Sequence, residues 1–420
     1  MFYLIEDTEQ LKVFYNSGYK QAYIEIISNN DTIHPTINDL CAVYIRPLES
    51  TKGYMLCINH NEAINVKKDW VYKILQKFDT LYCKDKKQIL HYFVLQNLED
   101  ILLPPHTLKL ENIPAYNIYY RLYKRQPNVN QLIPIVKHYE WCENIYQQIK
   151  PLLQQEKTKF YEFYNNKSTV VFNAIERAGI GINTELFTDY FYPTNSDRVY
   201  SQYNLNTLTT RPSNKFNNVN FAALNKKNGE RRAFIPQNDK FVEYDIVASH
   251  INLAAQLIHY SFSDPDVHLY FSKMYKVDRN KAKELTFKQL YGGIFKEYRN
   301  LPFFQQLNDF IQNLYKEYQN KGYITVPISN YKIETKDLKP QKLFNYLLQS
   351  YETALNIEVL YQILKLLRGH KSKLVLYTYD SFLIDHNEDE DILKDIQQIF
   401  KNFELNTTTK IGYNYDFDRN

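Results

Sequence analysis

The stretch RNKAKELTFKQLYGG, residues 279–293, carries the side-chain pattern from which the interpretation of the chain starts. Four of its side chains fall four residues apart, namely Arg279, Lys283, Phe287 and Tyr291. Since an α-helix turns once in about 3.6 residues, they form one stripe of two cations followed by two aromatic rings. Asp278 suits the N-cap and the two glycines suit the C-terminal end. The cations therefore lie toward the end where the helix dipole favours anions, and the rings offer faces for stacking.

Two further segments place an acidic residue at the end of a predicted strand. KFVEYDIVASHINLAAQL, residues 240–257, predicts a strand that ends near Asp245 and leads into a helix. KLVLYTYDSFLID, residues 373–385, predicts a hairpin with Asp380 at its turn. A carboxylate pair can hold two Mg²⁺ ions about 3.5–4 Å apart and stabilise the attacking and leaving oxygens of a phosphoryl transfer.

In this order the segments resemble motifs A, B and C of the family A DNA polymerases, the DNA polymerase I-like enzymes. Motif B of that family, RxxxKxxxFxxxYG, is matched at all five positions; motif A is a strand–Asp–helix unit, and motif C is a hairpin containing HD. Here Tyr379 replaces the His of motif C and Ser381 the acidic residue after its Asp. The resemblance implies an α+β right-hand polymerase with an antiparallel palm sheet and helical fingers. It covers residues 170–400 and, more weakly, the first 145.

The resemblance implies roles for the residues of these motifs. Asp245, Asp380 and the backbone carbonyl of Ile246 would hold two Mg²⁺ ions, with Mn²⁺ as an alternative. Arg279 and Lys283 would bind the triphosphate of a dNTP, Lys283 also being a candidate proton donor to the leaving group. Phe287 would border the sugar pocket, and Tyr291 would stack beside the templating base. The implied catalytic set is Asp245, Asp380 and Lys283, and the implied nucleotide-binding set is Arg279, Lys283, Phe287, Tyr291 and His250.

Position 250 departs from the family in a way that bears on sugar selection. DIVASHIN places His250 where DNA polymerases carry a Glu that packs against the sugar and excludes a 2′-hydroxyl. A histidine can still bond the Tyr291 hydroxyl, but it carries no fixed negative charge. The DxxxSxIN pattern is also similar to phage-type single-subunit RNA polymerases, whereas Phe287, where those enzymes have Met, follows the DNA-polymerase pattern. Both sugar preferences stay open.

Segments around motif A and before motif C resemble elements that contact primer–template DNA. TTRPSNKFNNVN resembles TGRLSSxxPNLQ, GERRAFIP resembles GRRIRQAFIAP, and QKLFNYLLQSYET resembles RAAINAPMQGTAA. The implied DNA-binding residues are Arg211, Asn218, Asn220, Arg231, Arg232, Asn345 and Gln349. Minor-groove acceptors are nearly the same for every base pair, so such contacts test pairing without reading sequence. The alternatives are a solvated arginine cluster and amides that cap or bridge neighbouring helices.

Residues 1–145 predict an α/β, ribonuclease-H-like layer with strands at 21–27, 40–47 and 53–59 and helices at 70–78 and 87–96. The order resembles the 3′-5′ exonuclease domain that precedes the polymerase in this family. Its metal ligands are degenerate: Glu25 stands alone on the first strand, Lys87 occupies the place of an Asp, and Glu143 is the acid of a loose YxxxD match. We expect a domain without proofreading activity.

Residues 146–420 form the predicted polymerase domain, with the palm at 170–250 and 336–420 and the fingers at 251–335. Residues 171–186 resemble the start of the polymerase region, and 198–211 already resemble the return to the palm. The helical thumb is therefore nearly absent. We expect a short, phage-type polymerase that needs a processivity or replication partner to stay on its duplex.

Composition sets outer limits on these interpretations. A chain of 420 residues with 44% hydrophobic residues can bury a large core in more than one domain, and a formal charge of +4 identifies no partner. The four cysteines, Cys41, Cys57, Cys83 and Cys142, lack the spacing of a zinc site or a disulfide framework. No apolar run is long enough to cross a bilayer and no signal peptide is present, so we expect a cytoplasmic protein, in the host bacterium if phage-encoded.

The sequence predicts a template-directed DNA polymerase, in which a primer 3′-hydroxyl attacks the α-phosphate of a dNTP and pyrophosphate leaves. Two alternatives remain. The same site could synthesise RNA, or the chain could be a non-catalytic, polymerase-derived nucleic-acid-binding protein. The reduced thumb and the degenerate exonuclease acids favour the last, whereas the retained carboxylates and the complete motif B oppose it.

Overall fold

The computed structural model describes residues 3–104, 129–194, 196–214 and 219–417. The chain divides into two compact units, one mainly Met1–Ala178 with Tyr200–Gln202, the other mainly Gly179–Val199, Tyr203–Asn214 and Asn220–Asn420. This structural boundary lies after the functional boundary that the sequence placed between residues 145 and 146. The functional division stays a prediction.

The first unit is built on a mixed β-sheet. Its described strands are β1 (Tyr3–Leu4), β2 (Gln21–Ser28), β3 (Leu40–Pro47), β4 (Tyr54–Cys57), β5 (Thr80–Cys83) and β6 (Leu98–Asp100), in the spatial order β1-β4-β3-β2-β5-β6. The three central strands β4, β3 and β2 pair antiparallel, whereas β5 and β6 continue parallel to β2. Its helices are α1 (Thr8–Tyr15), α2 (Lys68–Gln76), α3 (Lys86–Ile89), α4 (Ile135–Ile149), α5 (Lys159–Phe163) and α6 (Thr169–Ala178).

Both faces of this sheet are covered by apolar side chains. Successive residues of a strand point to opposite faces, and Tyr23 and Ile24 accordingly enter two different core clusters. The three predicted strands are confirmed with small changes at their ends, and the predicted helix at 70–78 is present as α2. The predicted helix at 87–96 is wrong, because α3 ends at Ile89. The N–H groups of His91 and Tyr92 donate to carbonyl oxygens three residues back, those of Gln88 and Ile89, so the chain tightens into turns there.

A buried charge cluster ties α3 to α6. Lys87 Nζ lies 2.7 and 2.9 Å from the two carboxylate oxygens of Glu176, and His91 Nε2 lies 2.8 Å from one of them. Burial alone would raise the pKa of Glu176, but Lys87 and the hydrogen bond with His91 lower it to about 2. Lys87, which the sequence placed at a metal-ligand position, therefore has a structural partner in α6.

The second unit is centred on an antiparallel sheet in the order β15-β16-β12-β17, as predicted for the palm. The described strands of the unit are β7 (Ile180–Ile182), β8 (Arg198–Val199), β9 (Tyr203–Asn204), β10 (Ser213–Asn214), β11 (Phe234–Ile235), β12 (Lys240–Ile246), β13 (Ile324–Thr325), β14 (Lys332–Ile333), β15 (Lys373–Thr378), β16 (Ser381–His386) and β17 (Thr407–Gly412). Its helices are α7 (Thr184–Tyr190), α8 (Ser249–Leu257), α9 (Val267–Tyr275), α10 (Arg279–Gly292), α11 (Pro302–Lys321), α12 (Pro340–Leu366) and α13 (Leu393–Asn402).

Helix α13 covers one face of the central sheet. The ring of Phe400 lies 5.3 Å from that of Tyr244 on β12 and 5.1 Å from that of Phe382 on β16. All three side chains are fully or almost fully buried. Such aromatic burial fixes β12, which carries Asp245, against β16, which begins directly after Asp380. In the part of the chain that the structure describes, no helix combines the length and apolarity that crossing a bilayer requires.

We predict that Glu176→Gln lowers the free energy of unfolding by about 3 kcal/mol, because it leaves the Lys87 ammonium buried without its counter-charge. The measurement is urea denaturation of the full chain, monitored by circular dichroism. Glu140→Gln is the matched control. It breaks the exposed Lys137–Glu140 pair, whose N···O distance is also 2.7 Å, and should cost less than about 0.5 kcal/mol. Equal losses in the two variants would contradict the prediction.

Candidate active site at the palm sheet edge

The register of two strands brings the predicted metal-binding acids together. In the β12–β16 pair, Asp245 lies directly opposite Ser381, and Asp380 is the preceding residue, in the turn between β15 and β16. The backbone N–H of Ile246 donates to the carbonyl oxygen of Asp380 at 2.8 Å. The two acids therefore occupy one edge of the sheet although 135 positions separate them along the printed chain.

Nearby negative charge shifts the protonation of these acids. Burial, together with the carboxylates of Asp380 and Glu243, raises the pKa of Asp245 to about 6. Burial also raises the pKa of Asp380, with Glu352 adding to the effect. Glu243 itself is buried and accepts a hydrogen bond from Ser381 Oγ at 2.8 Å. Oxygen ligands that repel one another in this way suit a hard divalent cation such as Mg²⁺, which would neutralise them.

The turn that carries Asp380 has an unusual backbone. Tyr379 has φ +64°, and the N–H of Asp380 donates to the carbonyl oxygen of Thr378 at 2.9 Å, which is the i→i+2 bond of a γ-turn. A tyrosine at positive φ is strained and needs support from its surroundings. Asn356 on α12 supplies one support, since its Nδ2 donates to the carbonyl oxygen of Tyr379 at 2.7 Å. The guanidinium of Arg211 supplies another, lying 3.8 Å from the centre of the Tyr379 ring.

Helix α10 presents the predicted cation–aromatic stripe on its outer side. The side chain of Asp278 caps the helix by accepting hydrogen bonds from the N–H groups of Asn280 and Lys281, as predicted. Gly293 ends the helix at φ +109°, also as predicted. The buried side consists of other residues, namely Ala282, Thr286, Gln289 and Leu290. Lys283 is exposed, and Tyr291 is 40% exposed. The Phe287 and Tyr291 rings lie 5.9 Å apart and nearly parallel.

The two cations of the stripe differ in their surroundings. Arg279 Nε lies 2.8 Å from Asp266, the N-cap residue of α9, so this guanidinium is already held by a carboxylate. Its side chain is still 48% exposed. Lys283 lies within ion-pair distance of no acidic side chain among the described residues, and the structure leaves its ammonium in solvent. The lysine is therefore the cation of the stripe that is more readily available to an anionic ligand.

A buried polar chain connects α10 to α8 and α12. The Tyr291 hydroxyl and His250 Nδ1 are 2.7 Å apart, which confirms the predicted contact between these side chains. His250 Nε2 lies 2.9 Å from Glu352 Oε2, close enough for an ion pair although poorly aligned for a hydrogen bond. Ser249 Oγ donates to the other oxygen of Glu352 at 2.8 Å, and an Arg211 nitrogen lies 3.4 Å from Glu352.

Sequence reasoning missed Glu352, Asn356 and Glu243. The first two lie on α12, which is otherwise largely apolar and buried around them. A usable signal was present: together with the predicted Gln349, they are polar residues three and four positions apart, and therefore share one helix face. Glu243 stands two residues before Asp245 on a strand, so its side chain points to the same face.

The predicted DNA-binding residues fall into different environments. Arg211 contacts Glu352 and Tyr379, as described above. Arg231 stacks over Tyr415 at 4.6 Å, and Arg232 Nε lies 3.4 Å from Asp416, so both arginines hold the C-terminal segment. Asn345 Nδ2 donates to the carbonyl oxygen of Tyr291 at 2.9 Å, which is the bridging role named as an alternative.

Three further DNA-binding predictions have less structural detail. Gln349 and Asn220 are half-buried, and the backbone of Asn220 caps a short 3₁₀ helix at Phe221–Ala223. Asn218 lies outside the described residues. None of these roles is tested by the fold, and all of them stay predictions.

The predicted remnant of an exonuclease site is partly neutralised. Glu25 accepts from the Tyr23 hydroxyl and forms an ion pair with Lys84 at 2.9 Å. Glu143 accepts from the Tyr44 hydroxyl at 2.6 Å. The cation paired with Glu25 is thus Lys84, a residue that the sequence pattern did not indicate. Whether the first unit has lost proofreading stays a prediction.

One cluster that sequence spacing did not reveal also lies in the first unit. Ligand atoms of Cys41, His60 and His138 lie within 4.8 Å of one another, and all three side chains are buried. His60, however, uses both ring nitrogens: Nε2 lies 2.8 Å from the carbonyl oxygen of Ile133, and Nδ1 accepts from the N–H of Glu62 at 3.1 Å. With no lone pair left for a metal, His60 serves the core in this arrangement.

The fold of the chain is that of a polymerase domain of known structure. Among solved structures, the whole chain is similar to one described as the POL domain of Pol1 from M. smegmatis in complex with DNA primer-template and dNTP. The TM-score is 0.71, the match covers 99% of each chain, and the sequences are 10% identical. At this identity the similarity establishes the fold alone. The sequence matches no protein-family model and no curated protein.

We predict that Asp245→Asn stabilises the chelator-treated protein by about 1–2 kcal/mol at pH 7.5, part of the full effect being screened by solvent. The pKa of Asp245 rises from 3.8 to about 6 on folding, so the native protein binds a proton more tightly and loses stability as the pH rises through this window. The asparagine variant escapes that loss. The gain should vanish near pH 4, where the aspartate is protonated.

Urea titrations at pH 4 and pH 7.5 measure the effect. Asp309→Asn on α11 is the control, because Asp309 is exposed and should show no such pH-dependent gain. A variant that is equally stable or less stable than the wild type at pH 7.5 would contradict the electrostatic account of this edge.

Proposed function

We propose that the chain is a template-directed DNA polymerase that transfers a nucleotide from a dNTP to a primer 3′-hydroxyl. The observation that carries the proposal is the register of β12 and β16, which places Asp245 and Asp380 at one sheet edge. The stripe of α10 supports it by offering two stacked rings and an exposed lysine that has no ion pair with any of the described residues. A structure of similar fold is described in complex with primer-template DNA and dNTP.

In this proposal the acidic edge holds the ions. Asp245, Asp380 and the carbonyl of Ile246 are the ligands, and Glu243 adds negative charge behind them. Bound Mg²⁺ ions supply stabilisation of the attacking and leaving oxygens, and Mn²⁺ is an alternative. The α-phosphate of the dNTP must then lie beside this edge, where the primer 3′-hydroxyl attacks it and pyrophosphate is released.

Helix α10 would bind the rest of the nucleotide. Lys283, near the positive end of the helix dipole, binds the β- and γ-phosphates and is placed to protonate the departing pyrophosphate. Arg279 assists from its position beside Asp266. Phe287 borders the sugar, and Tyr291 supplies a ring face beside the templating base. The triphosphate, the sugar and the base would thus contact successive residues of the stripe.

The remaining sequence-based assignments complete the proposal. The DNA contacts are assigned to Arg211, Asn218, Asn220, Arg231, Arg232, Asn345 and Gln349. We further propose that the chain belongs with the family A, phage-type DNA polymerases, that its exonuclease-like region lacks proofreading, and that a processivity partner replaces a minimal thumb. The ion pair of Glu25 with Lys84 supports the loss of proofreading, since an ammonium at a carboxylate opposes cation binding.

RNA synthesis by the same site is the second candidate function, because His250 stands at the position that would meet the sugar. The contact of His250 with the Tyr291 hydroxyl favours the DNA reading, since it fills that position with a fixed ring. A non-catalytic role is disfavoured by the strained turn at Tyr379, which holds Asp380 in a conformation that a scaffold does not need.

We predict that Asp380→Asn abolishes primer extension, with a fall in rate on the order of 10²–10³-fold or more, because the edge loses one of its two ligand carboxylates. The assay uses a labelled primed template with dNTPs and Mg²⁺ or Mn²⁺. Asp389→Asn, an exposed acid in the loop after β16, is the control and should extend normally. No extension by the wild type under any of these conditions would reject the polymerase function.

We predict that Lys283→Ala lowers kcat/KM for a dNTP by roughly 10²-fold, because a cation that binds the triphosphate and can act as a general acid is removed. Lys281→Ala is the matched control on the same helix. Its ammonium is 3.1 Å from Glu284 and lies off the stripe, so its loss should change kcat/KM little. Equal effects of the two substitutions would show that the helix acts only through its overall charge.

A further inference from the structure

Four side chains from separate parts of the second unit form one continuous polar chain. In the order of their contacts these are Tyr291 on α10, His250 on α8, Glu352 on α12 and Arg211 in the segment after β9. His250 is 5% exposed and Glu352 is 2% exposed. A carboxylate buried this deeply is costly unless it is paired, so its position beside His250 calls for an explanation.

Glu352 sets the proton arrangement of the histidine ring. A carboxylate facing Nε2 favours the tautomer with the proton on that nitrogen, which leaves Nδ1 as an acceptor for the Tyr291 hydroxyl. Ser249 and Arg211 hold the carboxylate from two other sides. Burial would raise the pKa of Glu352, but His250 and Arg211 lower it, so the carboxylate stays ionised. The ring of His250 thereby has a hydrogen bond at Nδ1 and a carboxylate 2.9 Å from Nε2.

The held ring lies where the sugar of a nucleotide would be placed. The α-phosphate must meet the acidic edge at Asp245, and the sugar is joined directly to that phosphate. Helix α8, which carries His250, begins three residues after the end of β12. On α10, the sugar must fall between the lysine that binds phosphate and the ring of Tyr291 that stacks by the base. The Tyr291–His250 pair bounds this space.

We propose that Glu352 is a positioning residue that fixes His250 and Tyr291 as a wall against the 2′-hydroxyl of the incoming nucleotide. The inference rests on the proposed polymerase function. In this proposal the ring of His250 excludes the 2′-hydroxyl, and Glu352 on α12 keeps that ring in place. Loss of Glu352 frees the ring to change tautomer and rotate, which opens the space beside the sugar.

The test compares kcat/KM for dATP and ATP opposite a template thymine in the full-length protein. For the wild type we expect preference for dATP. Glu352→Ala should lower the dATP-to-ATP ratio about tenfold or more, while Glu352→Gln, whose amide oxygen can still lie beside Nε2, should keep most of it. Thr353→Val is the matched control, since this neighbouring buried residue bonds only within α12 among the contacts seen, and its ratio should not change.

A double-mutant cycle separates positioning from a merely structural role. If Glu352 acts through His250, adding Glu352→Ala to a His250→Ala variant should change the ratio by less than about twofold. Because Glu352→Ala removes a buried side chain, thermal unfolding of each variant is measured as a control for folding, and Glu352→Gln supplies the comparison at nearly constant shape. An unchanged ratio in folded Glu352→Ala overturns the inference but leaves the polymerase function intact. A wild type that prefers ATP overturns it as well, whereas a wild type that extends with neither nucleotide rejects the function itself.

Discussion

The register between β12 and β16 is the constraint on which the site depends. Because Asp245 pairs with Ser381, the turn residue Asp380 has to lie beside it, and a slip of one residue would send the side chain of Asp245 to the other face of the sheet. The ring of Phe400 on α13 contacts Tyr244 on β12 and Phe382 on β16, and this packing stabilises the register. Packing in the core and charge at the sheet edge are thus two consequences of one pairing.

Features that depend on neighbouring residues were predictable from sequence. The α10 helix, its cap at Asp278, its glycine end and the Asp380 hairpin follow from local spacing and turn chemistry. Features that depend on distant partners were not. Glu352 contacts His250 only because α12 packs beside α8, and Lys87 contacts Glu176 only because α3 packs beside α6. No local sequence pattern predicts either pair. The helix predicted at 87–96 was wrong because the backbone tightens into turns after Ile89.

The two residues that depart from motif C, Tyr379 and Ser381, each have a partner in the second unit. Ser381, which stands where the resemblance expects an acid, donates to Glu243 on the neighbouring strand, so a carboxylate remains at this edge although it comes from β12. Tyr379, which stands where a histidine is expected, provides the ring on which Arg211 stacks. The chain therefore keeps charge near Asp380 with different residues from those that its motifs predict.

Arg211 contacts both Tyr379, next to Asp380, and Glu352, which lies beside His250. Its positive charge stabilises the carboxylates on both sides. Asp245, Asp380, Glu243 and Glu352 concentrate negative charge. The charge of Arg211 helps His250 to lower the pKa of Glu352, and it opposes the rise in the pKa of Asp380. Within the described ranges its Nε is buried without a hydrogen-bond acceptor, so one donor is still unused. An arginine that contacted only DNA would leave Glu352 less well paired. The DNA contact proposed for Arg211 would therefore have to come from the exposed part of its side chain, since Nε is buried.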